Sequence, residues 1–128
     1  MRLFRNYWPS MLVVAVILYA TLFPHPLGEE EIPAFPGADK LVHAIMFGGM
    51  TGALIFDYMR SRKASAIKTG IIIAFVVSSI VTGGIIELLQ GAMNCGRSAD
   101  WLDLAADAFG AVVAGLTAPK AVTMVLRY

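Results

Sequence analysis

Four long apolar segments, separated by short polar stretches, constrain the fold of this chain more than any other feature of its sequence. They cover about residues 7–24, 41–57, 67–90 and 101–118. A helix that crosses the hydrocarbon core of a bilayer needs about 17–25 predominantly apolar residues, so each segment is long enough to span it. With 58% hydrophobic and 15% charged residues, the chain has too little polar surface for a soluble domain. We predict an all-α integral membrane bundle of four transmembrane helices, in which residues 1–128 form a single domain.

Net charge, cysteine content and the N-terminal residues narrow the functional class. The formal net charge is +1, which argues against nucleic-acid binding, because that function needs a concentrated basic face. Cys95 is the only cysteine, so the chain forms no intramolecular disulfide and no cysteine-based metal cage. The first apolar segment follows Arg2 and Arg5, as in a signal peptide, but no small-x-small cleavage site comes after it. We expect this segment to be retained as the first helix.

The basic residues are distributed unevenly between the two sides of the predicted bundle. If the N-terminus is cytoplasmic, the outer side holds only Lys40 and Arg97. The inner side then holds the other eight, which are Arg2, Arg5, Arg60, Arg62, Lys63, Lys68, Lys120 and Arg127. Cytoplasmic loops of membrane proteins carry an excess of Lys and Arg. We therefore expect both termini to be cytoplasmic.

Polar side chains recur at helical spacing where three of the apolar segments meet the predicted outer side. The set comprises Asp39, Lys40, His43, Glu87, Gln90, Arg97, Asp100, Asp103 and Asp107. Asp39 and His43 are four residues apart and Glu87 and Gln90 three apart, so each pair lies on one face of a helix. A carboxylate that faces lipid at the bilayer centre costs at least about 2.5 kcal/mol. We expect the polar faces to turn toward one another and to form a single pocket.

The predicted pocket is strongly acidic. Five carboxylates, those of Asp39, Glu87, Asp100, Asp103 and Asp107, stand against the two cations of Lys40 and Arg97. Such an excess of acidic groups requires protons, a cation or a cationic ligand.

Three interpretations of the pocket remain open at this stage. In the first, it is a polar network that only joins the helices, with Lys40 paired with Glu87 and with His43 bridging carboxylates. In the second, it is a binding site in which Asp39, Lys40, Gln90, Arg97 and Asp100 contact the ligand. Lys40 and Arg97 would then hold a phosphate or carboxylate, for which a guanidinium is well suited.

The third interpretation is a membrane enzyme. His43 and Glu87 would be the acid/base pair, because histidine titrates near neutrality and burial raises the pKa of a glutamate toward it. Asp103 and Asp107 would hold a divalent cation, either magnesium or calcium through oxygen ligands alone, or zinc if His43 joins them. The chemistry would be hydrolysis or transfer at a lipid-linked phosphate or ester.

The order and spacing of these residues resemble a known family. Asp39-Lys40-x-x-His43, Glu87-x-x-Gln90, and then Arg97 with Asp100, Asp103, Asp107 and Gly110 are similar to the pattern of the VanZ-like family, small bacterial membrane proteins named after a protein associated with teicoplanin resistance. Asp107 stands where many members have asparagine.

The resemblance implies a multi-pass protein of the bacterial cytoplasmic membrane. We predict that the pocket faces the outer leaflet and binds a cell-envelope amphiphile or lipid-linked head group, with a link to glycopeptide resistance. Membrane lipids are the expected surroundings. Stripes of small residues on the helices would permit a homo-oligomer.

Overall fold

The computed structural model describes residues 1–22, 38–93 and 100–127. These residues form four α-helices and no strand: α1 (Arg2–Leu22), α2 (Ala38–Arg62), α3 (Thr69–Met93) and α4 (Trp101–Leu126). All four helices are long and apolar enough to cross a membrane. The predicted all-α bundle is confirmed, and the chain has the build of a multi-pass membrane protein.

Two prolines that would end a helix in water lie inside helices here. The sequence predicts that Pro119 ends the fourth segment, but α4 continues past it to Leu126, so that prediction is wrong. A helix in lipid tolerates proline because leaving the helix would expose many more unpaired backbone groups to a solvent without water. Pro9 likewise lies inside α1, beside a local break at Tyr7.

Helices α2 and α4 make the most extensive helix contact among the described residues. A Cβ atom on Gly110 would collide with the backbone carbonyl of Ala44, and one on Gly48 would lie 3.1 Å from the Gly110 carbonyl oxygen. Glycine is therefore required for the two backbones to approach this closely. Gly52, one turn beyond Gly48, has no described atom within 4 Å of such a Cβ and takes no part in the contact.

This contact fixes the register of α2 against α4. The two helices run in the same direction, since Lys40 contacts Asp103 and His43 contacts Asp107, at sequence separations of 63 and 64 residues. The nearly constant separation shows that the polar face of α2 lies along the polar face of α4. The glycine contact, less than one turn further along, holds both polar faces in place.

The apolar side chains divide between a small core and a large lipid-facing surface. One buried cluster joins α1, α2 and α3 through Ile17, Phe47 and Ile86, and a second joins α2 and α4 through Ile55 and Val122. Many large apolar side chains point outward instead, among them Ile73, Val77, Phe109, Leu116, Met124 and Val125. This distribution suits a bundle whose outer surface contacts lipid.

An ion pair between Asp57 and Arg60 of α2 binds the backbone groups that the break leaves free in α1. In an uninterrupted helix the Ser10 N–H would bond the Asn6 carbonyl. Here the N–H and hydroxyl of Ser10 donate to Asp57 Oδ2 at 2.9 and 2.6 Å, and the Asn6 carbonyl accepts from Arg60 at 2.7 Å. Arg60 in turn pairs with Asp57 at 3.1 Å. The pair thus holds α1 against α2 at the end of the bundle opposite the predicted pocket.

Candidate functional site

Seven of the polar side chains predicted to form the pocket meet at one end of the bundle, where α2 and α4 begin and α3 ends. We call this end the site face. The side chains brought together there are Asp39, Lys40, His43, Glu87, Asp100, Asp103 and Asp107, which we call the acidic cluster. Arg97, the other predicted cation of the pocket, lies outside the described residues. Among the described residues the cluster therefore has five carboxylates and one ammonium group.

Lys40 lies at the mouth of the cluster and is shared among three carboxylates. Its Nζ atom lies 3.2 Å from Asp39 Oδ2, from Asp100 Oδ2 and from Asp103 Oδ1. The pairing of Lys40 with Glu87 suggested by sequence does not occur. The mouth is open to the surroundings, because the side chains of Asp39 and Asp100 are 61% and 41% exposed, whereas that of Asp103 is 14% exposed.

Deeper in the cluster, His43 lies between two aspartates of α4. Its Nδ1 is 2.8 Å from Asp107 Oδ1, and its Nε2 is 3.6 Å from Asp103 Oδ2. The first contact is a short hydrogen bond between buried groups, whereas the second is too long to be one. His43 therefore lies between two carboxylates, as expected, but it forms a hydrogen bond with only one of them, that of Asp107.

Glu87 is fully buried and joins the end of α3 to the start of α4. Its Oε2 accepts a hydrogen bond of 2.8 Å from the Asp100 backbone N–H. Its Oε1 is buried without a hydrogen-bond partner among the described residues. A buried carboxylate oxygen in that condition carries the cost of lost hydration, so something at this position is expected to compensate it.

Asp100 is the N-cap of α4. Its Oδ1 accepts a 2.9 Å hydrogen bond from the Leu102 N–H, which is one of the backbone donors left free at a helix start. This hydrogen bond, followed by the contact with Lys40, holds the pKa of the Asp100 carboxyl below its ordinary value. Asp100 is therefore a carboxylate at neutral pH and keeps the mouth of the cluster negative.

Asp107, the deepest carboxylate, rests against a glycine of α3. It is 1% exposed, and a Cβ atom on Gly83 would lie 2.5 Å from its Oδ2. That oxygen has no hydrogen-bond partner among the described residues. Gly83 stands out in the sequence only as a small residue suited to packing, so its role in making room for Asp107 could not be read from sequence alone.

Gln90 is drawn away from the cluster. Its Nε2 donates a 2.6 Å hydrogen bond to the backbone carbonyl of Thr21, in the last turn of α1. The last four carbonyls of a helix have no partner within the helix, and in lipid they must find one elsewhere. Gln90 supplies one, so its amide nitrogen ties α3 to α1.

Within the described parts of the chain, two groups of side chains have the spacing to hold a metal ion. In one, a nitrogen of His43 and an oxygen each of Glu87 and Asp103 lie within 4.8 Å of one another, and in the other the same holds for Asp39, Asp100 and Asp103. Lys40 already places its ammonium group among the second set. The predicted metal ligands Asp103 and Asp107 face different ring nitrogens of His43, so they do not form a simple pair.

No protein-family model, curated protein or solved structure matches this chain.

Proposed function

We propose that this protein binds the head group of a cell-envelope amphiphile at the outer leaflet of the bacterial cytoplasmic membrane. The observation that carries the proposal is a charged mouth set directly beside exposed apolar side chains. Asp39, in the first turn of α2, and Asp100, the N-cap of α4, are open to the surroundings. A head group at the mouth would have its acyl chain within reach of the lipid-facing surface.

The apolar side chains lie near the starts of the same two helices. They are Leu41, Val42, Ile45, Trp101 and Leu102, with exposures between 45% and 64%. Tryptophan is enriched at the boundary between lipid and water, which agrees with placing the mouth at head-group depth. An amphiphile can therefore satisfy both halves of this surface, with its polar group against the carboxylates and its chain against these residues.

The charge of the cluster favours a cationic head group. Lys40 is already shared among three carboxylates, so an anion would have to compete with Asp39, Asp100 and Asp103 for it. Like charges at close range cost binding energy, whereas an amine or guanidinium would meet unoccupied acceptor positions. We therefore assign a positively charged group, such as an amine, to the ligand.

The membrane orientation and the biological setting form part of the same proposal. Eight of the ten basic residues lie away from the site face, which supports an outward-facing cluster. The resemblance to VanZ-like proteins supports a bacterial cytoplasmic membrane and extends the proposal to resistance against glycopeptides of the teicoplanin type.

A second candidate function is hydrolysis or transfer at a lipid-linked phosphate or ester. It is favoured by the 2.8 Å contact between His43 Nδ1 and Asp107 Oδ1. A carboxylate on one ring nitrogen orients an imidazole and leaves the other nitrogen to act as a base. Turnover of such a substrate by the wild type, and its loss in His43→Gln, would establish this candidate.

Trp101 provides a direct test of head-group binding. In a Trp8→Phe background it is the sole tryptophan, and its emission in nanodiscs is followed as dodecylammonium or dodecyl phosphate is added. We expect the ammonium amphiphile to bind more tightly. The double variant Asp39→Asn, Asp100→Asn should weaken it about tenfold, the sum of two partly exposed charge contacts.

The matched control keeps the charge and alters only the side-chain length. Asp39→Glu combined with Asp100→Glu should stay close to the wild-type affinity. Equal affinities for the two amphiphiles, or equal losses in the amide and glutamate variants, would refute a cationic head group at this mouth.

A further inference from the structure

His43 and Asp103 face each other without a direct hydrogen bond. The Nδ1 of His43 lies 2.8 Å from Asp107 Oδ1, within hydrogen-bond distance. Its Nε2 faces Asp103 Oδ2 across 3.6 Å, which is too long for a direct hydrogen bond. Both of these atoms can therefore accept a further partner placed between them.

A metal ion fits this separation. In a tetrahedral site with bonds of about 2.0–2.1 Å, neighbouring ligand atoms lie about 3.3 Å apart. The observed 3.6 Å between Nε2 and Oδ2 is close to that value. A small movement of either side chain would complete the geometry.

A third ligand is present in the same place. An oxygen of Glu87 lies within 4.8 Å of the His43 and Asp103 ligand atoms. Glu87 is fully buried, and its Oε1 has no hydrogen-bond partner among the described residues. This buried oxygen without a hydrogen bond is an observation separate from the acidity of the cluster, and a metal ion bound through it would compensate its lost hydration.

Asp107 contacts the ring nitrogen of His43 that does not face Asp103. Histidines that bind metals almost always donate their other ring N–H to a carboxylate, carbonyl or water, which fixes the ring and raises its basicity as a ligand. Asp107 Oδ1 lies 2.8 Å from His43 Nδ1, in the place of such a carboxylate, and is itself buried. It thus orients the ligand without having to bind the ion.

We propose that His43, Glu87 and Asp103 bind one divalent transition-metal ion, with Asp107 as the positioning residue for His43. One imidazole and two carboxylates, with a water as the fourth ligand, match the donor set that Zn²⁺ prefers. Magnesium and calcium prefer oxygen ligands alone, so the imidazole disfavours them. This site is independent of the proposed head-group binding, because it lies beneath the mouth and uses different side chains apart from Asp103.

The test uses the ion alone, without an amphiphile, on full-length protein in detergent after removal of metals with a chelator. Calorimetric titration with Zn²⁺ should give one ion per chain. X-ray absorption at the zinc edge should show nitrogen and oxygen ligands at about 2.0–2.1 Å and no sulfur. Because it needs no variant, the spectrum reports on the site even if a substitution prevents folding.

Variants separate this site from general attraction to the acidic cluster. Glu87→Gln keeps the size of the side chain and an acceptor for the Asp100 N–H, and it should weaken Zn²⁺ binding by at least about 100-fold. Asp107→Asn should retain one ion per chain with binding about 10–100-fold weaker. Asp39→Asn, a carboxylate of the mouth held by Lys40, is the matched control and should change the affinity little.

Three results would overturn the proposal: a wild type that binds no Zn²⁺, a sulfur ligand in the spectrum, or a loss in Asp39→Asn as large as that in Glu87→Gln. A failure of this kind leaves head-group binding standing, because the amphiphile titration depends on Asp39 and Asp100 and not on a metal ion. Loss of amphiphile binding with intact Zn²⁺ binding would refute head-group binding and leave the metal site standing.

Discussion

His43 Nδ1 and Asp107 Oδ1 lie 2.8 Å apart, and this buried contact joins α2 to α4 at the deep end of the acidic cluster. It depends on the approach of the two backbones at Gly110 and Ala44, less than one turn further along both helices. The contact therefore links the packing of the bundle to the chemistry of the site. Changes to the glycine contact should disturb the cluster, although they touch none of its charged groups.

The first prediction concerns that glycine contact. Gly110→Ala places a methyl group against the Ala44 carbonyl, and overpacking of this kind costs about 1–3 kcal/mol. We expect a lower midpoint in thermal unfolding of the purified protein. Gly52→Ala is the matched control, because its new methyl group meets no described atom within 4 Å. Equal midpoints for the two variants would contradict the close approach of α2 and α4.

The second prediction concerns the opposite end of the bundle. Ser10→Ala removes the hydroxyl that donates to buried Asp57 at 2.6 Å, and a hydrogen bond to a charged group contributes about 1.5–3 kcal/mol. Ser78→Ala is the control, since the Ser78 hydroxyl is exposed and bonds only the Ala74 carbonyl of its own helix among the described residues. The midpoint of thermal unfolding should be lower in Ser10→Ala than in the wild type, and unchanged in Ser78→Ala. The reverse order would mean that Asp57 does not anchor α1.

The third prediction is a pH dependence at the N-cap of α4. The pKa of Asp100 is lower in the folded protein than its ordinary value, so its charge stabilises the fold above the unfolded-state pKa of about 3.9. That contribution is lost as the pH falls through the lowered value. Asp100→Asn removes the charge but keeps a good helix cap.

The difference in unfolding midpoint between wild type and Asp100→Asn should therefore be constant from pH 7 to about pH 5 and shrink below about pH 4. A difference that grows on acidification would show that the carboxylate is not stabilised in the folded state.

The fourth prediction concerns orientation. In a Cys95→Ala background, a cysteine placed at Glu30 should react with a membrane-impermeant maleimide added to intact cells. A cysteine at Arg62, at the far end of α2 from the site face, should react only after the cells are opened. The opposite pattern would place the acidic cluster in the cytoplasm and exclude an outer-leaflet ligand.

Sequence reasoning predicted the architecture and the meeting of most of the polar side chains at one end of the bundle, because both follow from local patterns. Apolar length predicts the helices, and the spacing of Asp39 with His43 and of Asp103 with Asp107 places each pair on one helix face. The partners within the cluster did not follow. Lys40 contacts Asp100 and Asp103 instead of Glu87, since the register is set by backbone contact at Gly110.

Other features depended on contacts between distant segments and could not be read from the sequence. Gln90 has the pattern of a pocket residue, yet it bonds the Thr21 carbonyl because a helix end in lipid needs a partner. Asp57 stands alone among basic residues in the sequence, and only the break in α1 beside Pro9 explains its burial.

The most direct test of the central claim, that the acidic cluster binds an amphiphile, is native mass spectrometry of the protein released from its own membrane. Wild type is compared with the Asp39→Asn, Asp100→Asn variant, and the charge-preserving glutamate variant is the control. We predict a co-purified species with a basic head group on the wild type and on the glutamate variant, absent from the amide variant. Identical spectra for all three proteins would contradict the claim and leave the cluster as a link between helices.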